Sequence, residues 1–415
     1  MSVLRTLTLS ALCAIGIGAC GGSSSGGAEA GGASAAAKRE VLVVSNNWSG
    51  TADFVDAHTF ERLMRLDIVP DKAEREQEIF TSLDRLALFL FIRQQIGEGH
   101  DQYVDDSFLS NDGRYLYVSR PSFADVVAFD LTTKAIVWRT PIAGYRADHM
   151  AISPDGTRLA VSASTADIAQ IIDTATGAIL GQFESGNSPH ENNYSADGSK
   201  IFHASIGSIY TPTEALLGAG DTTKGKRYFQ IVDSATNQVI KRVDIGQKLA
   251  EAGYPNMSSA VRPMAIAPDE RHFYFQLSFF HGFVEYDLDQ DRITRVVDLP
   301  KRTTAALVDY QLDSAHHGLS IKPDGSKLCA AGTMDAYAAI VSTTSFAYKI
   351  IDVGMKPYWT TPSKDGKFCF VSISAEDAVA VIDFDQEKMV AKFPVGDHPQ
   401  RMRTGSVLSA VLDGT

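Results

Sequence analysis

From residue 41 onward, short apolar runs alternate with compact polar turns, and residues within many runs alternate between apolar and polar. This period of two is typical of β-strands. Six of the turns centre on an Asp, which Gly follows in five cases, at 110–113, 153–156, 195–198, 267–270, 322–325 and 363–366. An Asp-Gly pair between apolar runs predicts a tight hairpin, and a spacing of about 40 residues or more matches a four-stranded propeller blade.

The two ends of this repeat are incomplete. Residues 41–68 contain three strands and no inner one, whereas residues 399–404 begin an inner strand without the other three. Pairing the two pieces completes a seventh blade and leaves no free sheet edge. We therefore predict an all-β fold, a seven-bladed β-propeller of four-stranded blades over residues 41–405. One blade is closed by strands from both termini, and a tail follows at 406–415.

Three segments of the repeat carry a known signature. Ile-Asp-Thr-Ala-Thr at 172–176 and Val-Asp-Ser-Ala-Thr at 232–236 end third strands, and Gly-Asn-Ser-Pro at 186–189 precedes an inner strand. On these motifs the chain resembles the YVTN-repeat propellers, over residues 41–405. The resemblance implies the seven-bladed fold but no single activity, because related propellers include lactonases, lyases, quinoprotein subunits and binding proteins.

The N-terminus has the features of an export signal. Arg5 precedes an apolar run at 7–17, which is too short to span a bilayer stably, and Ile-Gly-Ala-Cys follows at 17–20. This tetrapeptide resembles the bacterial lipobox, which implies a signal peptide at 1–19 and a lipid on Cys20. Residues 21–37 are almost entirely Gly, Ser and Ala, so we interpret 20–40 as the lipidated Cys and a flexible tether.

We therefore expect an exported protein, anchored in a membrane by its N-terminal lipid, on the periplasmic or cell-surface side. An ordinary cleaved signal peptide is the alternative.

Composition and motifs narrow the functional classes. The net charge of -12 argues against a nucleic-acid partner, which requires clustered Lys and Arg. Residues 41–405 contain no Cys-x-x-Cys-His or Gly-x-Ser-x-Gly motif, so we expect no heme and no serine-hydrolase elbow. Cys329 and Cys369 fall in equivalent strands of neighbouring repeats. We expect two buried thiols, with a bond between them as the alternative.

Four long segments, at 70–98, 206–226, 247–260 and 301–315, interrupt the repeat. In a propeller of four-stranded blades, all four of these segments lie on the face that carries the connections between blades, here called the top face. The Asp-Gly turns lie on the opposite, bottom face. The concentration of the four long segments on the top face predicts a functional surface with partial lids. The first segment predicts a short helical insertion at about 71–96, with Asp71 as a candidate cap and apolar residues at 86–92.

We interpret this insertion as packed over the propeller rim. Contact with a membrane or a protein partner at the lid face is the alternative.

Aligning the repeats on their turn Asp and stepping back seven residues reaches the start of each inner strand. The residues at this position are Asp105, Asp148, His190, Arg262, His317, Tyr358 and, in the split blade, His398 or Arg401. Their immediate neighbours include Asp106, His149, Glu191, His316 and Trp359. Side chains at the start of inner strands point to the channel, so we predict a ring of unlike polar groups at its top mouth.

Imidazole and carboxylate groups together suit a divalent cation. We expect one divalent metal ion, Zn²⁺, Mn²⁺ or Ca²⁺, with ligands drawn from Asp105, Asp148, His190 and His317. The predicted catalytic residues are His190, Arg262, His317, Tyr358 and His149. In this scheme Tyr358 or a histidine moves a proton and Arg262 binds an anionic group.

These residues favour a metal-assisted lyase or hydrolase that acts on an anionic or carbonyl-bearing small molecule or a saccharide. A non-catalytic propeller that binds a ligand or protein is the first alternative. A quinone-linked oxidoreductase subunit, suggested by the fold resemblance alone, is the second.

Overall fold

Short antiparallel strands are the main regular elements of the computed structural model, which describes residues 37–208, 224–310, 312 and 314–413. The predicted signal peptide, Cys20 and most of the tether lie outside these residues, as does much of the segment at 206–226. The strands form seven four-stranded sheets. The predicted all-β, seven-bladed propeller is therefore confirmed.

The strands are numbered β1 to β28 along the chain. The split blade takes its N-terminal strands from β1 Lys38–Asn46, β2 Thr51–Asp56 and β3 Arg62–Asp67. The second and third blades are β4 Ser107–Leu109, β5 Tyr115–Arg120, β6 Asp125–Asp130, β7 Ala135–Pro141, β8 Ala147–Ile152, β9 Arg158–Ala163, β10 Ile168–Asp173 and β11 Ile179–Glu184. The fourth and fifth are β12 Pro189–Tyr194, β13 Lys200–Ser205, β14 Phe229–Asp233, β15 Gln238–Val243, β16 Val261–Ile266, β17 His272–Leu277, β18 Gly282–Asp287 and β19 Arg292–Asp298. The sixth and seventh blades are β20 Leu319–Ile321, β21 Lys327–Gly332, β22 Tyr337–Ser342, β23 Tyr348–Asp352, β24 Pro357–Pro362, β25 Phe368–Ile373, β26 Ala378–Asp383 and β27 Lys388–Pro394. Strand β28, Pro399–Leu408, follows them.

The split blade closes as predicted. Strand β28 is its inner strand and pairs antiparallel with β1, from Lys38 opposite Leu408 to Asn46 opposite Pro399. The sheet order is β28, β1, β2, β3. The first and last strands of the propeller thus satisfy each other's backbone groups, which would otherwise form exposed edges.

Side-chain hydrogen bonds explain why the Asp-Gly turns recur. In the turn at 153–156, the Ser153 hydroxyl donates to Asp155 at 2.5 Å, and the same carboxylate accepts the backbone N–H of Thr157 at 3.0 Å. Gly156 has a φ of +76°, a left-handed conformation that side chains disfavour. The turn chemistry therefore fixes each hairpin on the bottom face, and the inner strands align around the channel.

The structure corrects one expectation about the cysteines. Cys329 in β21 and Cys369 in β25 form a disulfide, with a Cα–Cα distance of 6.6 Å. Both residues are fully buried in an apolar cluster between the sixth and seventh blades. Because equivalent strands of neighbouring blades face each other, two cysteines at one repeat position meet across the interface.

The insertion at 71–96 is helical, as predicted, but it forms two helices, α1 Lys72–Phe80 and α2 Leu83–Gln95. Asp71 occupies the N-cap position without a capping hydrogen bond, because its carboxylate binds the guanidinium of buried Arg120. Ile79 and Phe89 pack into the core with residues of the first two blades. The insertion therefore lies over the rim, while Phe80 and Leu83 stay exposed.

Two shorter helices complete the described part of the chain. Helix α3, Ile245–Glu251, begins at Asp244, whose carboxylate accepts the N–H of Gln247 at 3.0 Å. Helix α4, Ser409–Asp413, follows β28 directly. Across the described residues, no helix is long and apolar enough to cross a membrane.

Replacing both cysteines, as Cys329→Ala with Cys369→Ala, is expected to lower the free energy of unfolding by about 2–4 kcal/mol, because the bond closes a long loop in the unfolded chain. Urea denaturation of the variant and of the wild type with and without reductant measures this loss. Reduction should destabilise the wild type and leave the variant unchanged. An equal response of both proteins to reductant would contradict the bond.

Candidate functional site at the top of the channel

The predicted catalytic residues and metal ligands of the propeller all reach one place in the structure. A cavity of about 20 Å³ at the top mouth is lined by Asp105, Asp148, His149, His190, Arg262, His317 and Tyr358. Gln102, Arg146, Gln400 and Arg401 complete its polar wall. The predicted ring of unlike polar groups is thus brought together around the channel, contributed by seven blades. Their chemical roles remain predictions.

Irregular pairing at the top of the inner strands creates this crowding. The register shifts there in β8, β12, β16, β24 and β28. In β8 the shift falls between Ala147 and Met150, so the consecutive residues Asp148 and His149 both line the cavity, although regular strand alternation would separate them. Such bulges re-aim side chains and are common beside active sites.

Three imidazole rings form the centre of the site. The ring centroids of His149 and His190 lie 3.8 Å apart, and that of His317 lies 5.9 Å from His190 and 6.5 Å from His149. Burial lowers the pKa of all three well below the ordinary value, and nearby arginines lower it further. The rings are therefore neutral at physiological pH. Nε2 of His149 and Nδ1 of His190 are buried without a hydrogen-bond partner among the described residues.

Three guanidinium groups surround the histidines. Arg146 pairs with Asp148 at 2.6 Å, and Arg401 pairs with Asp105. Arg262 donates to the hydroxyl of Ser278 at 3.0 Å and to a backbone carbonyl of the segment at 301–315. Among the described residues, these three guanidinium groups and the carboxylates of Asp105 and Asp148 line the mouth. Guanidinium donors of this kind suit an anionic group.

Tyr358 and His317 form a stacked pair, with ring centroids 4.2 Å apart. Nδ1 of His317 lies 3.3 Å from the backbone carbonyl of Tyr358, so this nitrogen carries the proton. Burial raises the pKa of Tyr358 to about 12, which keeps its hydroxyl protonated and able to donate. Burial likewise raises the pKa of Asp105, against the opposing effect of Arg401.

The metal ligands predicted from the sequence are only partly grouped. Ligand atoms of Asp148, His149 and His190 lie within 4.8 Å of one another, so these three side chains could hold an ion. Of the predicted set, Asp105 instead binds Arg401, and His317 stacks on Tyr358. His149, which was predicted as a catalytic residue, takes the place of Asp105 and His317 in this group of possible metal ligands.

A second group, His281, His316 and Asp335, was not predicted to come together. Asp335 accepts from Nδ1 of His281 at 2.6 Å and from Nε2 of His316 at 3.0 Å, and its other oxygen accepts the backbone N–H groups of Arg302 and Thr303. This network holds the segment at 301–315 beside the mouth.

Sequence reasoning missed some of the polar wall. In the split blade the channel position belongs to Arg401, whereas His398 stacks on Trp48, with ring centroids 3.7 Å apart. Arg146 and Gln102 precede their inner strands in loops, where the repeat pattern assigns no register. The proximity of Arg146 to Asp148 and of Gln102 to Asp105 in the sequence was the one available signal.

Apolar side chains cover the site from above. Ile96, Ile206 and Leu312 each come from a different top-face segment and line the cavity with the polar residues. A cavity of about 20 Å³ holds roughly one water molecule. A ligand larger than water therefore has to displace this cover.

The chain matches no protein-family model. No curated protein matches its sequence. The YVTN-repeat relationship thus stays a prediction. Among solved structures, the chain is similar to Kuenenia stuttgartiensis hydrazine synthase, with a TM-score of 0.56 and 14% identity over 74% of this chain and 96% of that one. It is also similar to the dihydro-heme d1 dehydrogenase NirN in complex with DHE, with a TM-score of 0.53 and 11% identity.

The second match covers 85% of this chain and 63% of the NirN chain, so our chain spans less than two thirds of it. At such low identity both matches establish the propeller fold. Both neighbours are named as enzymes, so the same fold occurs in proteins with catalytic activity.

One comparison overturns a cofactor expectation. We expected a single divalent ion and no heme, but a neighbour with this fold is named for dihydro-heme d1. The exclusion of heme was therefore wrong. Its basis was the missing Cys-x-x-Cys-His motif, which concerns only covalent attachment of the heme and is silent on non-covalent binding.

The neutral histidines make stability depend on pH. A buried histidine whose pKa lies below its ordinary 6.5 stays neutral in the fold but takes up a proton when the chain unfolds, so stability is lost as pH falls below about 6.5. His190→Gln is expected to make this loss shallower, by about 1 kcal/mol per pH unit, since glutamine binds no proton. Urea denaturation between pH 7.5 and pH 5 measures the slopes. Parallel curves for both proteins would contradict a neutral His190.

Proposed function

We propose that this protein is an exported propeller enzyme, a lyase or hydrolase that binds a small anionic or carbonyl-bearing molecule at the top mouth of its channel. A sugar acid would meet this description. One observation carries the proposal: three neutral, buried imidazoles from three blades meet beside three arginines in one cavity.

Structural requirements of the fold do not account for this arrangement. Burying an ionisable side chain costs free energy unless it is paired, and channels can be filled at lower cost by apolar residues. Two of the three imidazoles nevertheless keep a buried ring nitrogen that has no hydrogen-bond partner within the described part of the chain. Groups of this kind, with pKa values displaced by burial, concentrate at functional sites.

The chemistry follows from the charges. Arg262 and Arg401 hold the anionic group of the ligand, because guanidinium donors match the planar geometry of carboxylates. The unprotonated nitrogen of His149 or His190 accepts a proton, either from carbon next to a carbonyl in a lyase or from water in a hydrolase. Tyr358, still protonated, donates a hydrogen bond to the oxygen on which charge develops.

Two further features support an extracytoplasmic location. The sequence at 1–20 resembles a lipoprotein export signal. The disulfide between Cys329 and Cys369 is typical of proteins that fold in an oxidising compartment. We propose that a lipid on Cys20 anchors the protein and that no nucleic acid is involved. A protein partner at the lid face, against exposed Phe80 and Leu83, belongs to the same proposal.

The anion site predicts a specific loss. Arg262→Gln is expected to weaken binding of a galacturonate, pyruvate or phosphate probe about 30-fold, because a hydrogen bond to a charged group contributes about 2 kcal/mol. Arg262→Lys should retain part of the affinity. Isothermal titration calorimetry with each probe measures the change. His58→Gln, in the exposed turn between β2 and β3, is the control and should bind like the wild type.

Turnover separates the enzyme from a binding propeller. In an enzyme, His149→Gln and His190→Gln lower kcat by roughly 100-fold or more for a probe that is converted, with a smaller effect on KM. Binding that depends on Arg262, without conversion of the bound probe by the wild type, would favour the binding propeller. Binding that Arg262→Gln leaves intact would contradict the anion site.

A further inference from the structure

The bottom end of the channel contains far more space than the top. Two adjoining cavities of about 450 and 380 Å³ lie there, and Thr361 and Arg403 line both. Residues of four of the repeated turns line them as well, so the cavities belong to the bottom face. We call the two together the vestibule. The top cavity has room for about one water molecule, whereas cavities of the size of the vestibule hold small organic molecules in other proteins.

The larger cavity of the vestibule is lined by cations. Among the described residues its lining includes Lys38, Lys364 and Arg403, but no Asp or Glu. The carboxylates of the two turns beside it, Asp112 and Asp365, are held within their own turns. Each accepts the hydroxyl of the serine that begins the turn and the backbone N–H two residues further on. The cations of the larger cavity are therefore not paired with these carboxylates.

Arg403 is fixed at the junction of the two cavities. Its Nε and Nη2 donate to the two carboxylate oxygens of buried Asp106, at 2.9 and 2.7 Å. Its guanidinium carbon lies 4.6 Å from the ring centroid of Phe108 and 5.2 Å from that of Trp359. Within the described part of the chain Nη1 makes no hydrogen bond, and 21% of the side chain remains exposed. A guanidinium held in this way is already oriented to bind the oxygen of a carboxylate or phosphate.

The two lysines add mobile donors to this fixed one. Nζ of Lys38 donates to the backbone carbonyl of Asn111 at 2.8 Å, and Nζ of Lys364 donates to the hydroxyl of Ser406 at 3.1 Å. Both partners are uncharged, so each ammonium group keeps its charge and its other N–H donors. The larger cavity therefore has the donors that an anionic group requires.

The smaller cavity offers a different kind of contact. Three of its side chains have a buried polar atom without a hydrogen-bond partner among the described residues, namely the hydroxyls of Tyr194 and Ser320 and the indole N–H of Trp359. Trp359 as a whole is only 4% exposed. Buried polar groups are normally paired, so three unpaired ones in one cavity indicate a ligand that supplies their partners. Hydroxyl groups can do so, because they both donate and accept.

The carboxylates that line the smaller cavity already have partners. Glu191 binds Nδ1 of His149 at 2.7 Å, and Glu270 accepts the backbone N–H of Ala196. These two acidic side chains disfavour a second anion beside them. The anionic end of a ligand therefore belongs in the larger cavity, and an uncharged, hydroxylated part belongs in the smaller one.

We propose that the vestibule is a second binding site, which takes a small hydroxylated acid. The carboxylate or phosphate of this molecule binds Arg403, Lys38 and Lys364, and its hydroxyl groups bind the unpaired polar atoms of the smaller cavity. One molecule can span the two cavities, because Thr361 and Arg403 belong to both. The inference is independent of the activity proposed for the top mouth, since it requires neither the histidines nor turnover.

Isothermal titration calorimetry of the full chain tests the site with two probes, galacturonate for the carboxylate and glucose 6-phosphate for the phosphate. The titrations use Arg262→Gln, in which the anion site of the top mouth is weakened. At least one probe should still bind, at one site per chain, and the tighter one identifies the anionic group. Adding Lys38→Gln and Lys364→Gln should weaken its binding about tenfold or more, because two charged donors are lost. Both lysines are exposed, so the fold should tolerate the change.

A matched control removes the same charge elsewhere. Lys349→Gln with Lys388→Gln, in the same Arg262→Gln background, replaces two exposed lysines of the outer strands β23 and β27. This control should bind the probes like Arg262→Gln alone. If neither probe binds in the Arg262→Gln background, or if the two double lysine replacements have equal affinity, the vestibule site is overturned.

Tyr194→Phe tests the smaller cavity, because it removes only the unpaired hydroxyl. In the Arg262→Gln background it should weaken the bound sugar probe about fivefold, and it should leave binding of inorganic phosphate unchanged, since phosphate has no hydroxylated body. An unchanged affinity for the sugar probe overturns the assignment of the smaller cavity. Binding that depends on Lys38 and Lys364, in a protein that converts no probe, supports the vestibule site and counts against the proposed enzyme, so the two proposals can fail separately.

Discussion

The pairing of β28 with β1 is the contact on which the rest of the structure depends. It joins residues more than 350 positions apart, such as Asn46 and Pro399, and it turns an open row of sheets into a ring. Only in a closed ring do seven inner strands share one axis. Arg401, from the last strand, then reaches Asp105, which precedes the first complete blade. The site at the mouth exists because the two ends of the chain meet.

Closure also places ionisable groups where water is scarce, and the structure pairs most of them. Three ion pairs surround the axis: Arg401 with Asp105, Arg146 with Asp148, and Arg403 with Asp106. Paired charges limit the cost of burial, whereas the buried imidazoles of the mouth remain neutral. Neutral imidazoles beside guanidinium groups form a site that attracts anions and accepts protons. Both properties result from desolvation rather than from any single contact.

Much of the fold could be predicted from the sequence, because the same pattern of strands and turns recurs in each repeat. Six turns with one chemistry located the hairpins, and the incomplete repeats at both ends predicted the split blade. The same register led to Asp105, Arg262 and Tyr358, since the start of an inner strand faces the channel in every blade.

Features that depart from the repeat could not be predicted from the sequence in the same way. The bulge in β8, which directs both Asp148 and His149 inward, depends on three-dimensional packing. In the split blade, local spacing could not decide between His398 and Arg401. The disulfide between Cys329 and Cys369 required the distance between neighbouring blades, which periodicity does not contain. The chemistry of the mouth is therefore encoded mostly in departures from the repeat.

The split blade also affects when the protein can fold. Strand β1 is made early in synthesis, but its inner partner β28 lies within the final residues of the described chain. The ring therefore cannot close until β28 has been synthesised. Until then β1 keeps an unpaired edge, which can pair wrongly with other strands.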